Sequence, residues 1–247
     1  MIRFAERGGK RTEPYSTLTI AEHGSEPYTI SGGLSMSRAP KFPKSTLRYL
    51  AGQVAEKLAA ESVAALAKGV KIELAETLPI WFLGYTATST PHARLAELAH
   101  RTGYWHHQIR HNGHAKEYAL SRTFGPGVRD WEIRAIMSSP LAGEIEKAIE
   151  WIDTQEIEGD PLACLLSIPA YQMTAFWLRG KKDDKIVVVD QPKSFKQLKK
   201  KHLYGERDFL TLLAQERHAQ GIPDPMPQFV IPENVEQPQI GSSSTLI

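Results

Sequence analysis

Six of the nine histidines in this chain lie between His92 and His114, and the densest stretch reads Tyr104-Trp105-His106-His107-Gln108-Ile109-Arg110-His111-Asn112-Gly113-His114. Histidine titrates nearest neutral pH and is the commonest metal ligand. Crowded beside Tyr, Trp and Arg, it marks the place where composition points most directly to chemistry. On a helix, His107, His111 and His114 would stand at i, i+4 and i+7, on one face. Three imidazoles so placed could hold zinc and leave a fourth position for water, the centre of a metal-dependent hydrolase. Asn112-Gly113 argues against it as a strong turn signal. The His-Glu-x-x-His motif is also absent, and a general base would have to be Glu97 or Glu117.

The same residues support a second chemistry. Tyr104, Trp105 and His106 could stack on bases while Arg101, Arg110 and Lys116 engage phosphates. Between His92 and Arg122 five basic residues face only two glutamates. The plainer expectation, which leads, is that Trp105 and Ile109 pack inward and the histidines decorate a helix end.

Elsewhere, Lys193, Lys196, Lys199, Lys200, Lys201 and Arg207 form the strongest basic patch, interrupted only by Glu206. A phosphate-rich partner would be drawn to it with strong salt dependence, although such runs are usually solvated faces. Cys164 sits in an apolar run, where a thiol behaves as a small hydrophobe. Glu144, Glu146 and Glu150 read as surface charge on a helix, with Glu144 and Lys147 spaced to pair. Gly8-Gly9-Lys10-Arg11-Thr12 lacks the spacing and the preceding strand of a phosphate loop.

The elements that must position these residues follow from periodicity. Residues 15–20 and 27–34 are β-prone. Ser45 is placed to cap a helix to about Lys68, with Leu47, Leu50, Val54, Leu58 and Leu66 at helical spacing and Gly69 beyond its end. Residues 80–85 read as a buried strand, and Pro91 opens a short helix to about Arg101. Residues 116–123 and 128–137 form a hairpin around Phe124-Gly125-Pro126-Gly127. Ser139-Pro140 starts an amphipathic helix carrying Leu141, Ile145, Ala148, Ile149 and Ile152. Three strands follow at 163–168, 171–179 and 185–190. Ser194 and Gln197 have capping-box spacing for a helix over 195–201, and a second helix spans about 206–220. Hairpins outnumber β-α-β crossovers, so the expected fold is α+β: a single domain with a largely antiparallel sheet, several amphipathic helices and a disordered C-terminal tail. The expected organisation is a flexible segment 1–14, a globular domain 15–220 and a Pro-rich flexible tail 221–247.

Composition bounds the function. A hydrophobic content of 41% and a net charge of +2 are ordinary for a globular protein, and a single cysteine permits no internal disulfide. With no apolar run near the ~20 residues of a membrane helix, no membrane partner is expected and a cytoplasmic setting fits. The tail carries two apolar islands, Phe229-Val230-Ile231 and Leu246-Ile247, suited to docking by strand addition or terminal-carboxylate capture. The first expectation is therefore a non-enzymatic interaction or assembly protein that docks a protein partner through Phe229, Val230, Ile231, Leu246 and Ile247. The alternative is a nucleic-acid-associated protein using Tyr104, Trp105, Arg110, Lys196, Lys199, Lys200 and Lys201. The third is a zinc hydrolase built on His107, His111 and His114. No cofactor is expected in the first two readings.

Overall fold

The computed structural model describes residues 2–4, 17–20, 28–31, 39–61, 72–84 and 93–221. Among them the fold is α+β, with four α-helices and a mostly antiparallel sheet. The strands are β1 (Ile2–Phe4), β2 (Thr17–Ile20), β3 (Tyr28–Ser31), β4 (Ile72–Leu83), β5 (Ala99–His111), β6 (His114–Thr123), β7 (Trp131–Ser138), β8 (Leu162–Ile168), β9 (Met173–Arg179), β10 (Lys185–Asp190) and β11 (Tyr204–Gly205). The helices are α1 (Lys44–Glu61), α2 (Leu95–Leu98), α3 (Pro140–Asp153) and α4 (Glu206–Ala219).

The body of the sheet runs β7-β6-β5-β4-β8-β9-β10-β11, and β4 is its axis. One edge of β4 pairs with β5 along its whole length, while the other pairs in parallel with β8 and, at Ile72, with β3 of the small β1-β2-β3 ribbon. Every other pairing is antiparallel. Hairpins dominate because the links between successive strands are short, and short links cannot return a chain parallel to itself.

Both faces of the sheet are covered, and strand alternation assigns each residue to a helix. Phe176 and Leu178 pack with Leu78, Ile145, Ile149 and Ile152 beneath α3. Trp177 and Ala175 point the other way, with Leu83, Phe209 and Leu213 beneath α4. At the far side α1 lays Leu50, Val54 and Leu58 on Leu74, Ile109, Ala119 and Ile133. Thr77 lies between the α3-facing side chains of Glu76 and Leu78, so α1 and α4 share the face opposite α3. Ser139 caps α3 by accepting from the Leu141 amide at 3.2 Å, with Pro140 in the first turn. The predicted stripe Ile145, Ala148, Ile149 and Ile152 is buried.

Several local expectations change. The histidine run is β5 and the turn after it, not a helix, because each of its two parities finds a helix to pack against. The strand predicted at 80–85 begins at Ile72; two glutamates and Pro79 disguised the stretch before Ile80. The helix predicted from Pro91 shrinks to Leu95–Leu98, since β5 takes over at Ala99. Helix α1 starts at Lys44, ahead of the predicted Ser45 cap, and the residues beyond Glu61 lie outside those described. No helix forms over 195–201. The side chain of Glu216 on α4 accepts the Lys196 and Gln197 amides, and the Tyr204 hydroxyl accepts the Lys199 amide at 2.6 Å. These non-local acceptors replace the capping box. The tail from residue 222, with Phe229, Val230, Ile231, Leu246 and Ile247, lies outside the described residues, as does all but one strand of the 1–14 segment. Among the described residues no helix is long and apolar enough to cross a membrane.

Candidate functional site

On a strand, neighbouring residues face opposite sides of the sheet, so the histidine run divides. His107 turns toward α1. Its ring contacts the Thr77 hydroxyl through Nδ1 at 3.0 Å and the Ser121 hydroxyl through Nε2 at 2.6 Å. Thr77 Oγ1 lies 3.5 Å from the Ala75 carbonyl. The order that serves every group has Ser121 donating to Nε2, Nδ1 donating to Thr77, and Thr77 donating to Ala75. This resembles a hydroxyl–imidazole relay, but His107 and Ser121 are both 0% exposed. Burial holds the His107 imidazole down to about 3, with His106 beside it adding to the effect. A base that weak does not take a proton from serine at neutral pH, so the relay is a neutral structural link between β4, β5 and β6.

His106 turns toward α3. Its Nε2 donates to Gln108 Oε1 at 2.9 Å, and Gln108 Nε2 donates to the Ala142 carbonyl of α3 at 2.5 Å. The ring stacks on Tyr118 with centroids 4.8 Å apart. Burial lowers His106 to about 4, against the raising effect of Gln108.

Arg110, expected to meet phosphate, is buried on the same face. It donates to Glu76 at 3.0 Å and to Glu146 at 2.9 Å. The second oxygen of Glu146 accepts the Ala115 amide at 3.1 Å. Glu146 therefore anchors α3 to the β5–β6 hairpin and is not surface charge. Burial raises the Glu76 carboxyl more than Arg110 lowers it. Its Oε2 has no hydrogen-bond partner among the described residues.

His111 and His114 flank a two-residue turn whose Asn112 and Gly113 both have positive φ, 51° and 87°. That geometry matches the right-handed twist of a hairpin and is the reason Asn-Gly is found there. His111 contacts Glu117 at 3.0 Å, while His107 is enclosed in the relay. The three histidines do not converge, and among the described residues no group of three metal-ligating side chains is placed to hold an ion. Cys164 is 1% exposed, and burial pushes its thiol up to about 11.

The accessible chemistry lies at the other end of β5. Tyr104 pairs across β6 with Arg122, and Arg122 with Glu132 of β7. Here α3 no longer covers the sheet: Leu120 is half-exposed, Arg122 is exposed and Phe124 is 64% exposed. The Arg122 guanidinium carbon lies 5.6 Å from both the Tyr104 and Phe124 ring centroids, and that of Arg134 lies 5.9 Å from Phe124. Tyr104, Arg122, Phe124 and Arg134 thus form an alternating aromatic–guanidinium stack, held at its outer end by a 2.8 Å pair between Arg134 and Glu132. Phe124 and Arg134 were not singled out from sequence. The available signal was an aromatic at the lip of the predicted hairpin loop with an arginine near the loop end of each strand.

Trp105 faces the α1 side, edge-on to Phe42 and Trp131 at 5.0 and 5.9 Å, beneath Arg101 at 5.4 Å. The basic strap places Lys193, Lys196, Lys199 and Lys201 in the open, whereas Lys200 pairs with Glu144 at 2.8 Å and Asp190 at 3.2 Å. Glu144 also takes the expected Lys147, at 2.9 Å. The strap touches β10 through Val188, with several strands between it and the aromatic stack, so the two basic regions do not form one interface. Compared with protein-family models, with curated proteins and with solved structures, the chain matches none.

Proposed function

We propose that this is a non-enzymatic binding protein that engages single-stranded nucleic acid on the Tyr104–Arg122–Phe124–Arg134 surface. One observation carries the reading: an exposed phenylalanine flanked by two guanidiniums on an uncovered stretch of sheet. Bases stack on such platforms without regard to sequence, at about 1–3 kcal/mol each, while arginines neutralise the backbone. The reading agrees with the burial of the groups best suited to catalysis, since His107 and Ser121 are sealed and Arg110 is paired. It revises the expected contact set: Tyr104 stays, Arg122, Phe124 and Arg134 enter, and Trp105, Arg110, Lys196, Lys199, Lys200 and Lys201 leave. Docking of a protein partner through the tail in a reducing cytoplasm remains a separate proposal resting on sequence.

The test is fluorescence anisotropy of a labelled oligothymidylate over a range of salt. Affinity is expected to fall with salt, and Phe124→Ala to weaken it by one to two orders of magnitude. Arg122→Ala with Arg134→Ala is expected to lower the salt slope by about 1–2. Absence of binding at low salt, or binding indifferent to Phe124→Ala, would overturn the proposal.

A further inference from the structure

A second pair of arginines lies on the opposite face of the sheet, between α1 and α4. Trp81 of β4 stands directly across from Arg101 of β5. Arg179, at the end of β9, places its guanidinium carbon 4.8 Å from the Trp81 ring centroid and 4.7 Å from that of Trp177. Trp177 is fully buried, Trp81 and Arg179 are half-buried, and Arg101 is exposed. The two indoles sit edge-to-face, 5.2 Å apart and at 82°, so the Arg179 guanidinium has a ring on two sides. Arg101 is laid in the same manner over Trp105.

What the guanidiniums lack is an acceptor. Among the described residues neither Arg101 nor Arg179 makes an ion pair or a side-chain hydrogen bond. Asp184, in the turn after Arg179, accepts from Trp177 Nε1 at 2.8 Å and from the Gly180 amide at 3.0 Å. Both charges act on the same spot: the Cys164 thiol, driven up chiefly by burial, is drawn down by Arg179 and then by Arg101. The indole rings lie against both guanidiniums, and Arg101 is exposed while Arg179 is half-buried. An arginine packed in this way loses little conformational entropy when it binds, and its fork matches the oxygens of a phosphate.

We propose that Arg101 and Arg179, flanking Trp81, form a binding site for an anion of the phosphate class, separate from the Tyr104–Phe124 stack. The ligand chemistry is a tetrahedral oxyanion received by two guanidinium edges above an indole floor. Its source is either a free phosphate compound or a phosphate of a bound strand.

The probe is inorganic pyrophosphate, followed by tryptophan fluorescence and calorimetry on the full chain at low ionic strength. Saturable binding is expected, with sulfate competing. Arg101→Ala changes an exposed side chain and is expected to weaken binding about tenfold or more. Arg179→Lys keeps the charge but loses the planar fork, and is expected to weaken it in the same direction with an unchanged circular dichroism spectrum. Phe124→Ala should leave pyrophosphate binding intact, so failure of the nucleic-acid reading would not disturb this one. If oligothymidylate displaces pyrophosphate in the wild type but not in Arg101→Ala, the phosphate belongs to a strand; if it does not compete, the ligand is a free phosphate compound. No response to millimolar pyrophosphate, or equal affinity in wild type and Arg101→Ala, would overturn the proposal.

Discussion

At the scale of single residues, the polar groups that look reactive in sequence are the ones folding has enclosed. His106 and His107 are held neutral, near 4 and 3, because burial removes water from the charged ring. Their folded values lie below the ordinary 6.5, so the stability they contribute is fully present above about 6.5 and is lost as pH falls through that value toward 3–4. The loss amounts to about 3 kcal/mol or more for each ring across the full window. Glu76 works in the opposite sense: its raised carboxyl favours folding below its ordinary value, and that contribution fades as pH rises through the folded one. With two imidazoles against one carboxyl, the urea midpoint should drop clearly between about pH 7 and pH 4.5. A midpoint constant over that interval would show that the imidazoles are not buried neutral. Removing Arg110 should be more severe. Arg110→Ala leaves Glu76 buried without its counter-charge, at a cost of about 3–5 kcal/mol. Adding Glu76→Gln should recover part of the loss, and a double variant no more stable than the single would contradict the pairing.

At the scale of elements, hairpin geometry and edge protection carry the argument. Gly113 has φ of +87° with open space around its missing Cβ, so any cost of a side chain there comes from the backbone alone. Gly113→Val should destabilise the protein by roughly 1–2 kcal/mol, measurable in urea, whereas Asn112→Gly should be close to neutral. Strand β7 ends the sheet and would present an open row of amides and carbonyls. Helix α1 covers part of it: Gln53 donates to the Trp131 carbonyl at 2.9 Å and accepts the Ile133 amide at 2.8 Å, a side-chain amide standing in for a neighbouring strand. Gln53→Ala should cost about 1–3 kcal/mol and raise light scattering on heating, because an uncovered edge invites another chain. Unchanged melting and scattering would mean the edge is protected by other means.

At the scale of the molecule, one sheet carries two accessible arginine–aromatic regions on opposite faces, with a basic strap beyond β10. A net charge of +2 is too small for general attraction, so any polyanion must find these local regions. The tail enters at the same scale as a proposal. Deleting residues 228–247 should leave the melting temperature within about 2 °C and abolish capture of a protein partner, if Phe229–Ile231 or Leu246-Ile247 docks one. A truncated protein that melts much lower would assign the tail to the core instead.

Helices α3 and α4, the β6–β7 and β9–β10 hairpins and the Asn112-Gly113 turn were legible from sequence, because caps, turn residues and periodicity act within a few positions of one another. The α+β class followed from their order. The histidine strand was not legible. Trp105, His107 and Ile109 face α1 while His106, Gln108 and Arg110 face α3, so bulky groups occupy both parities and the period-two signal disappears. The fate of each reactive side chain was equally hidden. Thr77 meets His107 across 30 positions, and Arg110 meets Glu146 across 36. Whether an imidazole is a base or a strut, and whether an arginine faces water or a carboxylate, depends on those distant partners and on the water they exclude. Only the assembled sheet and its covering helices decided that Arg110 is paired inside while Arg101, Arg122 and Arg179 make no ion pair among the described residues.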